Sequence, residues 1–530
     1  MGLAIDTNNQ LIYRWGIVPL WLLLTCTVFF RYPIPIDETR YLSVAWEMWL
    51  RDDFWVPYLN GHPYSHKPPL LFWLFQSGWA VFGVNDWWPK LVGPFGALIN
   101  LLLTRKLAER LWPNQANVAL LAPWILIATL LWTLFATSAM FDILLTCFVL
   151  WGMLGLLALA QGEVRKGRVY LALAIGLGLL AKGPVMLLHI LPAALLVRYW
   201  SVQALPKAWL LNLLVALLAG VVLALCWAIP AAVLGGEEFA NAILWRQIAD
   251  RTIATEIHAR PFFWYMQFLP LLLFPWFFWP QLWRNLRQID VANDNGVRFC
   301  LIWLLLGLLL FSVLTSKQIH YLIPVMPAFA LLAARSLVNF ATGGGLVSEL
   351  VLPVAFALVG VFLVLLPQVP LLSKLYWVQE VEAGWGLSVL LITVLMALAL
   401  QVVQKLSVAV ISTALVLAVF VGFIFFFKFT GLAYNLRPAA MQVKSYQEQG
   451  IPCAFAGNYQ GQFQFLGRLT QPLTQLQTAE KLDEWVEQHP EGFLISLEKE
   501  KPVRSVYQQL QREYWLVFRR AAQKSELKPL

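Results

Sequence analysis

The sequence predicts a polytopic α-helical membrane protein that ends in a small soluble α/β domain. Of its 530 residues, 60% are hydrophobic and only 13% are charged, and the mean hydropathy is +0.67. A water-soluble core could not bury this much apolar surface, so the bilayer has to serve as the solvent. Many of the 26 tryptophans flank apolar runs, where their amphipathic rings suit the headgroup boundary.

Thirteen apolar runs are candidate transmembrane helices, since about 20 residues cross the hydrocarbon core and protein-buried spans can be shorter. The predicted spans are Trp15–Phe30, Trp88–Thr104, Val118–Thr133, Ala139–Leu159, Val169–Leu180, Pro184–Val197, Leu210–Val233, Phe262–Phe278, Phe299–Val313, Ile319–Ala334, Leu346–Leu366, Trp385–Leu400 and Leu406–Phe427. The run Pro69–Phe82 is short and bracketed by prolines and polar residues, so we assign it to the membrane interface.

Basic residues concentrate in alternate breaks between these spans, which predicts that those breaks are cytoplasmic. They are Arg105, Lys106, Arg110, Arg165, Lys166, Arg168, Arg198, Lys207, Arg284, Arg287, Arg298, Arg335 and Lys405. This orientation places the N-terminus inside and the C-terminus outside. It leaves two long outer loops, 31–87 and 235–261, whose aromatic, glycine and proline content predicts ordered structure.

The composition changes abruptly at Lys428 to that of a soluble protein. We therefore divide the chain into a transmembrane domain over 1–428 and a soluble domain over 429–530. Predicted strands in the second domain are Cys453–Ala456, Gly492–Leu497 and Tyr514–Phe518, and predicted helices are Ala479–Gln488 and Val503–Arg512.

Charge, cysteine placement and missing motifs exclude several function classes. The net charge of +9 is scattered, without the basic tract that follows a nucleic acid backbone, so anionic lipid is the better partner. Four of five cysteines lie in apolar segments, which argues against a disulfide framework or a CxxC metal site. The sequence has neither a G-x-x-x-x-G-K-[ST] loop nor a Rossmann glycine pattern, which disfavours a nucleotide substrate.

Ionisable residues gather at the predicted outer ends of the spans and in the outer loops. Because such a group costs about 3 kcal/mol or more at membrane depth, we expect these residues to have partners or a function. The acids could act as a base, and the cations could hold a phosphate. If the substrate is a sugar, its donor would have to arrive on a lipid, because the compartment outside the cytoplasm has no nucleotide sugars. The residues are Asp37, Glu38, His66, Lys67, Asp142, Lys182, Arg246, Arg251, His258, Lys317 and His320.

Each candidate also has a purely structural interpretation. Asp37 could begin a helix, and Asp142 could pair with a buried lysine. Lys67 could extend its ammonium to the headgroups, Lys182 could anchor a helix at the interface, and Arg251 could be a solvated loop charge. The histidines and tyrosines could be satisfied polar residues or interfacial aromatics.

Six short motifs follow one another in a fixed order over about 300 residues. They are Ile36-Asp37-Glu38-Thr39-Arg40-Tyr41; Leu59-Asn60-Gly61 with Tyr64-Ser65-His66-Lys67-Pro68-Pro69-Leu70; Met140-Phe141-Asp142; Ala181-Lys182-Gly183-Pro184; His258-Ala259-Arg260-Pro261-Phe262-Phe263-Trp264-Tyr265; and Ser316-Lys317 with His320-Tyr321-Leu322-Ile323-Pro324. This order resembles the protein O-mannosyltransferase superfamily of GT-C glycosyltransferases, and within it the bacterial lipid A aminoarabinose transferases. The C-terminal region resembles that group's outer domain more loosely.

The resemblance implies a GT-C fold and an inverting transferase that uses a polyprenyl (undecaprenyl) phosphate sugar. It implies that Asp37 is the catalytic base or orients the acceptor, with Asp142 as a second acid. Donor phosphate ligands would be Lys67, Arg251, Tyr64, Lys182, Tyr321 and Arg246, and Glu38, His66, His258, Lys317 and His320 would lie near the site. It further implies the bacterial inner membrane, a periplasmic active site and C-terminal domain, and lipid A, lipopolysaccharide or another envelope glycan as acceptor.

One departure from that group concerns a metal ion. Its members typically have glutamate before the Lys-Pro-Pro lysine and histidine three residues before the phosphate-binding arginine, and the two hold a metal. Here those positions are His66 and Ile248, so the ligand pair is broken. A rebuilt site that combines His66 with His258 or His320 stays open as an alternative.

Three other functions stay open. The first is a protein O-glycosyltransferase of the same fold. The second is an outer-leaflet polysaccharide polymerase or ligase, which would not require an acid at the start of the first outer loop. The third is a lipid-linked glycan transporter or flippase, for which internal repeats and midplane polar residues are typical.

Overall fold

A computed structural model describes residues 7–201, 208–243, 259–339, 346–372 and 375–526. Within these residues, nine helices are long and apolar enough to cross a membrane, and the chain is a multi-pass membrane protein. The nine are Asn9–Phe29, Trp87–Leu111, Phe141–Ala160, Trp209–Asn241, Asn295–Val313, Ile319–Val338, Leu350–Gln368, Ala383–Val402 and Gln404–Phe429.

The other four predicted spans coincide with helices that are shorter, more polar or interrupted. Ala116–Ile127 and Val185–Leu195 are short, and the helix Val164–Lys182 begins with several basic residues. The predicted span Phe262–Phe278 is not one helix but a series of short turns, Phe262–Tyr265, Leu269–Leu272 and Trp276–Phe278. Its prolines interrupt the hydrogen-bond ladder because they have no amide hydrogen. The interfacial run forms the helix Leu70–Phe82.

The Phe141 helix (Phe141–Ala160) lies at the centre of the bundle and is almost fully buried. It packs against Trp87–Leu111 and against the Val164 helix (Val164–Lys182). The second contact is close because a Cβ on Gly167 would lie 2.7 Å from the Leu159 amide nitrogen. Because the two helices pack side by side in opposite directions, the start of the Phe141 helix lies beside the end of the Val164 helix.

The segment 31–87, which we predict to be an outer loop and continue to call the first outer loop, contains the Asp37 helix (Asp37–Leu50), a small hairpin and the helix Leu70–Phe82. The hairpin joins strand β1, Tyr58–Leu59, to strand β2, His62–Pro63. Its two turn residues, Asn60 and Gly61, both have positive φ angles, as a tight Asn-Gly hairpin turn requires.

The C-terminal region contains a five-stranded mixed sheet. Its strands are β3 (Cys453–Ala456), β4 (Thr474–Leu476), β5 (Phe493–Glu498), β6 (Tyr507–Gln511) and β7 (Tyr514–Arg520), in the order β4-β3-β5-β7-β6. Strand β3 pairs parallel with β4 and with β5. Strand β7 pairs antiparallel with β5 and with β6. Helices Arg437–Glu448, Gln464–Gly467 and Ala479–Gln488 complete the α/β domain.

The predicted helix Val503–Arg512 is wrong, because residues 507–511 form strand β6. This strand pairs with β7 through a two-residue turn in which Arg512 has a φ angle of +59°. The burial of Gln509 between two more exposed neighbours fits a strand, and its Nε2 donates to the Leu432 and Asn435 carbonyls at 3.0 and 3.1 Å. Tertiary pairing thus overrides the local helical preference of the glutamines.

The α/β domain docks onto the first outer loop through apolar and polar contacts. The Trp46 indole donates to the Leu469 carbonyl at 2.9 Å, and the Phe465 ring stacks on Trp79 with centres 5.2 Å apart. Asn60 accepts from the Leu473 amide and donates to its carbonyl, both at 2.8 Å. The domain and the Asp37 helix therefore share one hydrophobic core. We call this side of the bundle the domain end.

Candidate functional site

A buried ion pair marks the domain end of the bundle. Asp142 lies in the first turn of the Phe141 helix, and Lys182 lies in the last turn of the Val164 helix. Helix dipoles favour an acid at the first position and a cation at the second. Gly183, whose φ angle is +74°, and Pro184 end the second helix directly after the lysine.

The Asp142 carboxylate lies at the centre of a group of charged and aromatic side chains. It accepts a hydrogen bond from Lys182 Nζ, and its other oxygen lies 4.0 Å from His320 Nε2. Lys182 Nζ lies 4.8 Å from the centre of the Tyr321 ring, and the positive charge of Lys67 also acts on the carboxylate. Both carboxylate and ammonium are less than 10% exposed, so their pairing offsets a large desolvation cost.

Lys67 and Tyr64 reach this group from the first outer loop. Lys67 Nζ lies 5.7 Å from the centre of the Phe141 ring, next to Asp142 in sequence. Burial raises the pKa of Tyr64 to about 12, with a smaller opposing effect from Arg40. The Tyr64 hydroxyl therefore stays protonated at neutral pH and can donate a hydrogen bond to an anion.

Asp37 lies at the start of the Asp37 helix and is half-exposed. Its Oδ1 accepts a hydrogen bond from Arg40 Nη2 at 2.8 Å. Burial is the largest cause of the raised pKa of Tyr41, and the charges of Asp37 and Asp142 both add to it. The charges of two acids about a hundred residues apart in sequence therefore both influence the Tyr41 hydroxyl.

Glu38, next to Asp37, points away into a buried structural pair. Its carboxylate accepts from Arg31 Nη2 at 2.8 Å, from the Ile34 amide at 2.8 Å and from the Ala139 amide at 2.6 Å. The arginine and these hydrogen bonds hold the pKa of Glu38 below its usual value against the opposing effect of burial, which is the largest single contribution. The pair fastens the start of the Asp37 helix to the segment that begins the Phe141 helix.

Two more predicted residues lie nearby with other contacts. His66 is exposed, and its ring stacks on Tyr64 with centres 5.2 Å apart. Lys317 is buried, and its Nζ donates to the Arg260 carbonyl at 2.9 Å and to the Leu314 carbonyl. This lysine joins two segments of the bundle.

Arg246, Arg251 and His258, and also Ile248, lie outside the described residues. Their predicted roles stay predictions. Among the residues that the structure does describe, no three His, Cys, Asp or Glu side chains group so as to hold a metal ion.

Sequence reasoning missed Arg40 as a site residue, although it lies within one of the quoted motifs. The available signal was its position three residues after Asp37, which places the two side chains on one helix face. It also missed Gln460, whose Oε1 accepts from Arg40 Nη1 at 2.9 Å across 420 positions of sequence. Nothing local to Gln460 indicates this contact.

Solved structures match this architecture almost end to end. ArnT from Cupriavidus metallidurans bound to undecaprenyl phosphate aligns over 98% of this chain and 99% of its own, with a TM-score of 0.73 and 20% identity. The apo state of that protein gives a TM-score of 0.74. The chain has the ArnT fold. This confirms the predicted GT-C fold and the resemblance that the ordered motifs indicated.

Curated relatives are similar in sequence over a shorter stretch. The undecaprenyl phosphate-alpha-4-amino-4-deoxy-L-arabinose arabinosyl transferase 1 of Pseudomonas fluorescens is 28% identical over 352 residues, which are 62% of this chain and 61% of the relative. A transferase of the same name from Pseudomonas aeruginosa is 30% identical over 60% of each chain. The chain thus spans about three fifths of the length of these relatives. No family model matches it.

Proposed function

We propose that this chain is an inverting glycosyltransferase that moves a sugar from undecaprenyl phosphate to an acceptor such as lipid A or another envelope glycan. The supporting observation is the buried group at the domain end, where Asp142, Lys182 and His320 meet Lys67 close to Asp37. Because the group is at one end of the membrane-crossing helices, we expect it to lie near the lipid headgroups. The ArnT fold and the names of the relatives agree with this chemistry.

The charges suit a lipid phosphodiester. Arg40, Lys67 and Lys182 carry three positive charges against the two negative charges of Asp37 and Asp142, which leaves a net charge of one positive unit. A donor phosphodiester has one negative charge and balances it. When the sugar leaves, the phosphate gains negative charge, and preorganised cations stabilise that developing charge.

The reaction is a displacement at the anomeric carbon. An acceptor oxygen attacks this carbon, the bond to the phosphate oxygen breaks, and its electron pair leaves with the undecaprenyl phosphate. Asp37 takes the proton when the acceptor is a hydroxyl, and no proton has to be removed when a phosphate oxygen attacks. Asp142 neutralises and fixes Lys182 beside Tyr321, so that the ammonium faces the phosphate in one orientation.

We place the protein in a bacterial inner membrane with the site and the α/β domain in the periplasm. The opposite end of the bundle is rich in basic residues, among them Arg110 and Lys166 in contact with Glu163, as the cytoplasmic side of a membrane protein requires. In a cysteine-free background, a cysteine at Val503, which is 97% exposed, should react with an impermeant maleimide on spheroplasts. A cysteine at Lys106 should react only after lysis, and the reverse pattern would contradict the orientation.

The catalytic proposal is tested by Asp37→Asn in the full chain in nanodiscs. With undecaprenyl phosphate aminoarabinose as donor and lipid A as acceptor, the wild type should give a product detected by mass spectrometry. For transfer to a hydroxyl group of the acceptor, the variant should lose at least about 100-fold in rate, because general base catalysis contributes about 10² to 10⁴. Asp52→Asn, at an exposed acid after the same helix, is the matched control and should keep full rate. Full turnover by Asp37→Asn in transfer to a hydroxyl group would remove the assignment.

A further inference from the structure

We propose that Gln460 of the α/β domain is a positioning residue for Asp37, acting through Arg40. This inference rests on the proposed function and deepens it, because it makes the α/β domain part of the active site rather than an appended module. It also assigns a role to Arg40, which carries one hydrogen bond to each of the other two residues.

The geometry is a relay through one guanidinium group. Arg40 Nη2 donates to Asp37 Oδ1 at 2.8 Å, and Nη1 donates to Gln460 Oε1 at 2.9 Å. Since the guanidinium is planar and its donors have fixed directions, anchoring one nitrogen sets the direction of the other. The Arg40 side chain is only 22% exposed, whereas that of Asp37 is 49% exposed and open to an acceptor.

Gln460 is itself held firmly. Its backbone amide donates to Gln462 Oε1 at 3.0 Å, inside a loop that packs on the first outer loop. The next residue, Gly461, has a φ angle of +72°, and a Cβ there would lie 2.3 Å from Leu59 Cδ1. Buried Gln464 in turn donates to Asn60 Oδ1 at 2.9 Å. The acceptor for Arg40 therefore comes from a preorganised support.

The chemistry of the anchor suits its position. The side-chain oxygen of Gln460 accepts from Nη1 of the guanidinium and leaves Nη2 to donate to Asp37. Without this anchor, the guanidinium would keep Asp37, the residue that it has to orient, and the neighbouring Tyr41 as partners. A base displaced by about 1 Å can lose about 100-fold in rate, so the anchor should affect turnover more than donor binding.

The test compares variants of the full chain in nanodiscs with undecaprenyl phosphate aminoarabinose and lipid A. Gln460→Ala should lower kcat roughly 10-fold or more, as expected for a lost hydrogen bond to a charged group, with the donor KM and the melting temperature unchanged. Gln460→Glu keeps an acceptor oxygen and should recover most of the rate, whereas Gln460→Asn, shorter by one methylene, should not. Asn458→Ala, at an exposed position in the same loop, is the control.

A double-mutant cycle identifies the route. In an Arg40→Lys background the effect of Gln460→Ala should largely disappear, because the relay is already broken. An active wild type with an unchanged kcat in Gln460→Ala would overturn this inference alone. An undiminished effect in the Arg40→Lys background, or a lower melting temperature without rescue by Gln460→Glu, would also overturn it. A wild type that transfers no sugar would overturn the proposed function and this inference with it.

Discussion

Replacing Glu38 with glutamine should destabilise the protein by roughly 3 kcal/mol. Glu38 and Arg31 are each about 2% exposed or less, and the two carboxylate oxygens accept hydrogen bonds from Arg31 and from the Ile34 and Ala139 amides. Glutamine has a single carbonyl oxygen in place of the two carboxylate oxygens. Its NH2 group, which can only donate, would therefore face the backbone or guanidinium donors. The Arg31 charge would also lose its counterion.

The magnitude follows from what stays buried. Breaking a buried ion pair by removing one partner costs about 3 to 5 kcal/mol, and one unsatisfied backbone donor costs about 1 to 3 kcal/mol. Arg31 keeps its hydrogen bond to the Thr137 carbonyl at 2.6 Å, so we take the lower end of the range for a broken buried pair, about 3 kcal/mol.

Thermal unfolding in nanodiscs at one fixed scan rate provides the assay, because membrane proteins of this size often unfold irreversibly. The pKa of Glu38 is lowered in the folded state, so the stabilisation is present above the ordinary glutamate value of 4.5 and is lost as the pH falls through the lower folded value. The difference between wild type and Glu38→Gln should therefore narrow below about pH 4.

Two controls sharpen this prediction. Glu382→Gln breaks an exposed pair with Lys428 and should change stability by less than about 1 kcal/mol. The double variant Arg31→Met with Glu38→Leu should recover part of the loss, because an apolar pair of similar volume avoids the buried charge. An unchanged melting temperature for Glu38→Gln at pH 7 would refute the reasoning.

Three further substitutions test the site and the docking of the domain. Lys67→Ala should weaken binding of undecaprenyl phosphate about 10-fold, measured by displacement of a fluorescent lipid, while Lys499→Ala on the α/β surface should not; equal affinities would count against a phosphate role. Lys182→Met leaves Asp142 buried without its ammonium and should cost about 3 to 5 kcal/mol, partly recovered by adding Asp142→Asn; a melting temperature like that of wild type would contradict the buried pair. Asn60→Ala removes three hydrogen bonds to the α/β domain and should speed its release by limited proteolysis, and an unchanged cleavage rate would argue that the apolar contacts alone hold it.

Sequence patterns predicted the helices well where composition alone decides the structure. Long apolar runs became long helices, and the predicted boundary between the spans Val169–Leu180 and Pro184–Val197 coincides with the end of the helix Val164–Lys182. Sequence patterns predicted the secondary structure less well where prolines interrupt an apolar run or where pairing with a distant strand decides the conformation. Residues 262–278 are apolar apart from Gln267 but are broken into turns by prolines, and residues 507–511 form a strand because β7 pairs with them.

The candidate site was predictable in membership more than in detail. Asp142, Lys182 and His320 were all expected at one end of the bundle, and they lie together there. Their pairing could not be derived, since it depends on how helices 40 or more residues apart pack. Glu38 was also expected near the site because it follows Asp37 in the motif, but its carboxylate instead forms a buried pair with Arg31.

The contact between Arg40 and Gln460 also has a consequence for biosynthesis. The two residues are 420 positions apart, and ribosomes add about 5 to 20 residues each second, so roughly 20 to 80 seconds separate their synthesis. A nascent chain that stalls in this interval contains Arg40 but not Gln460, which we propose positions Asp37. If Gln460 positions the base as proposed, prematurely terminated translation products should transfer sugar slowly and consume little of the lipid-linked donor.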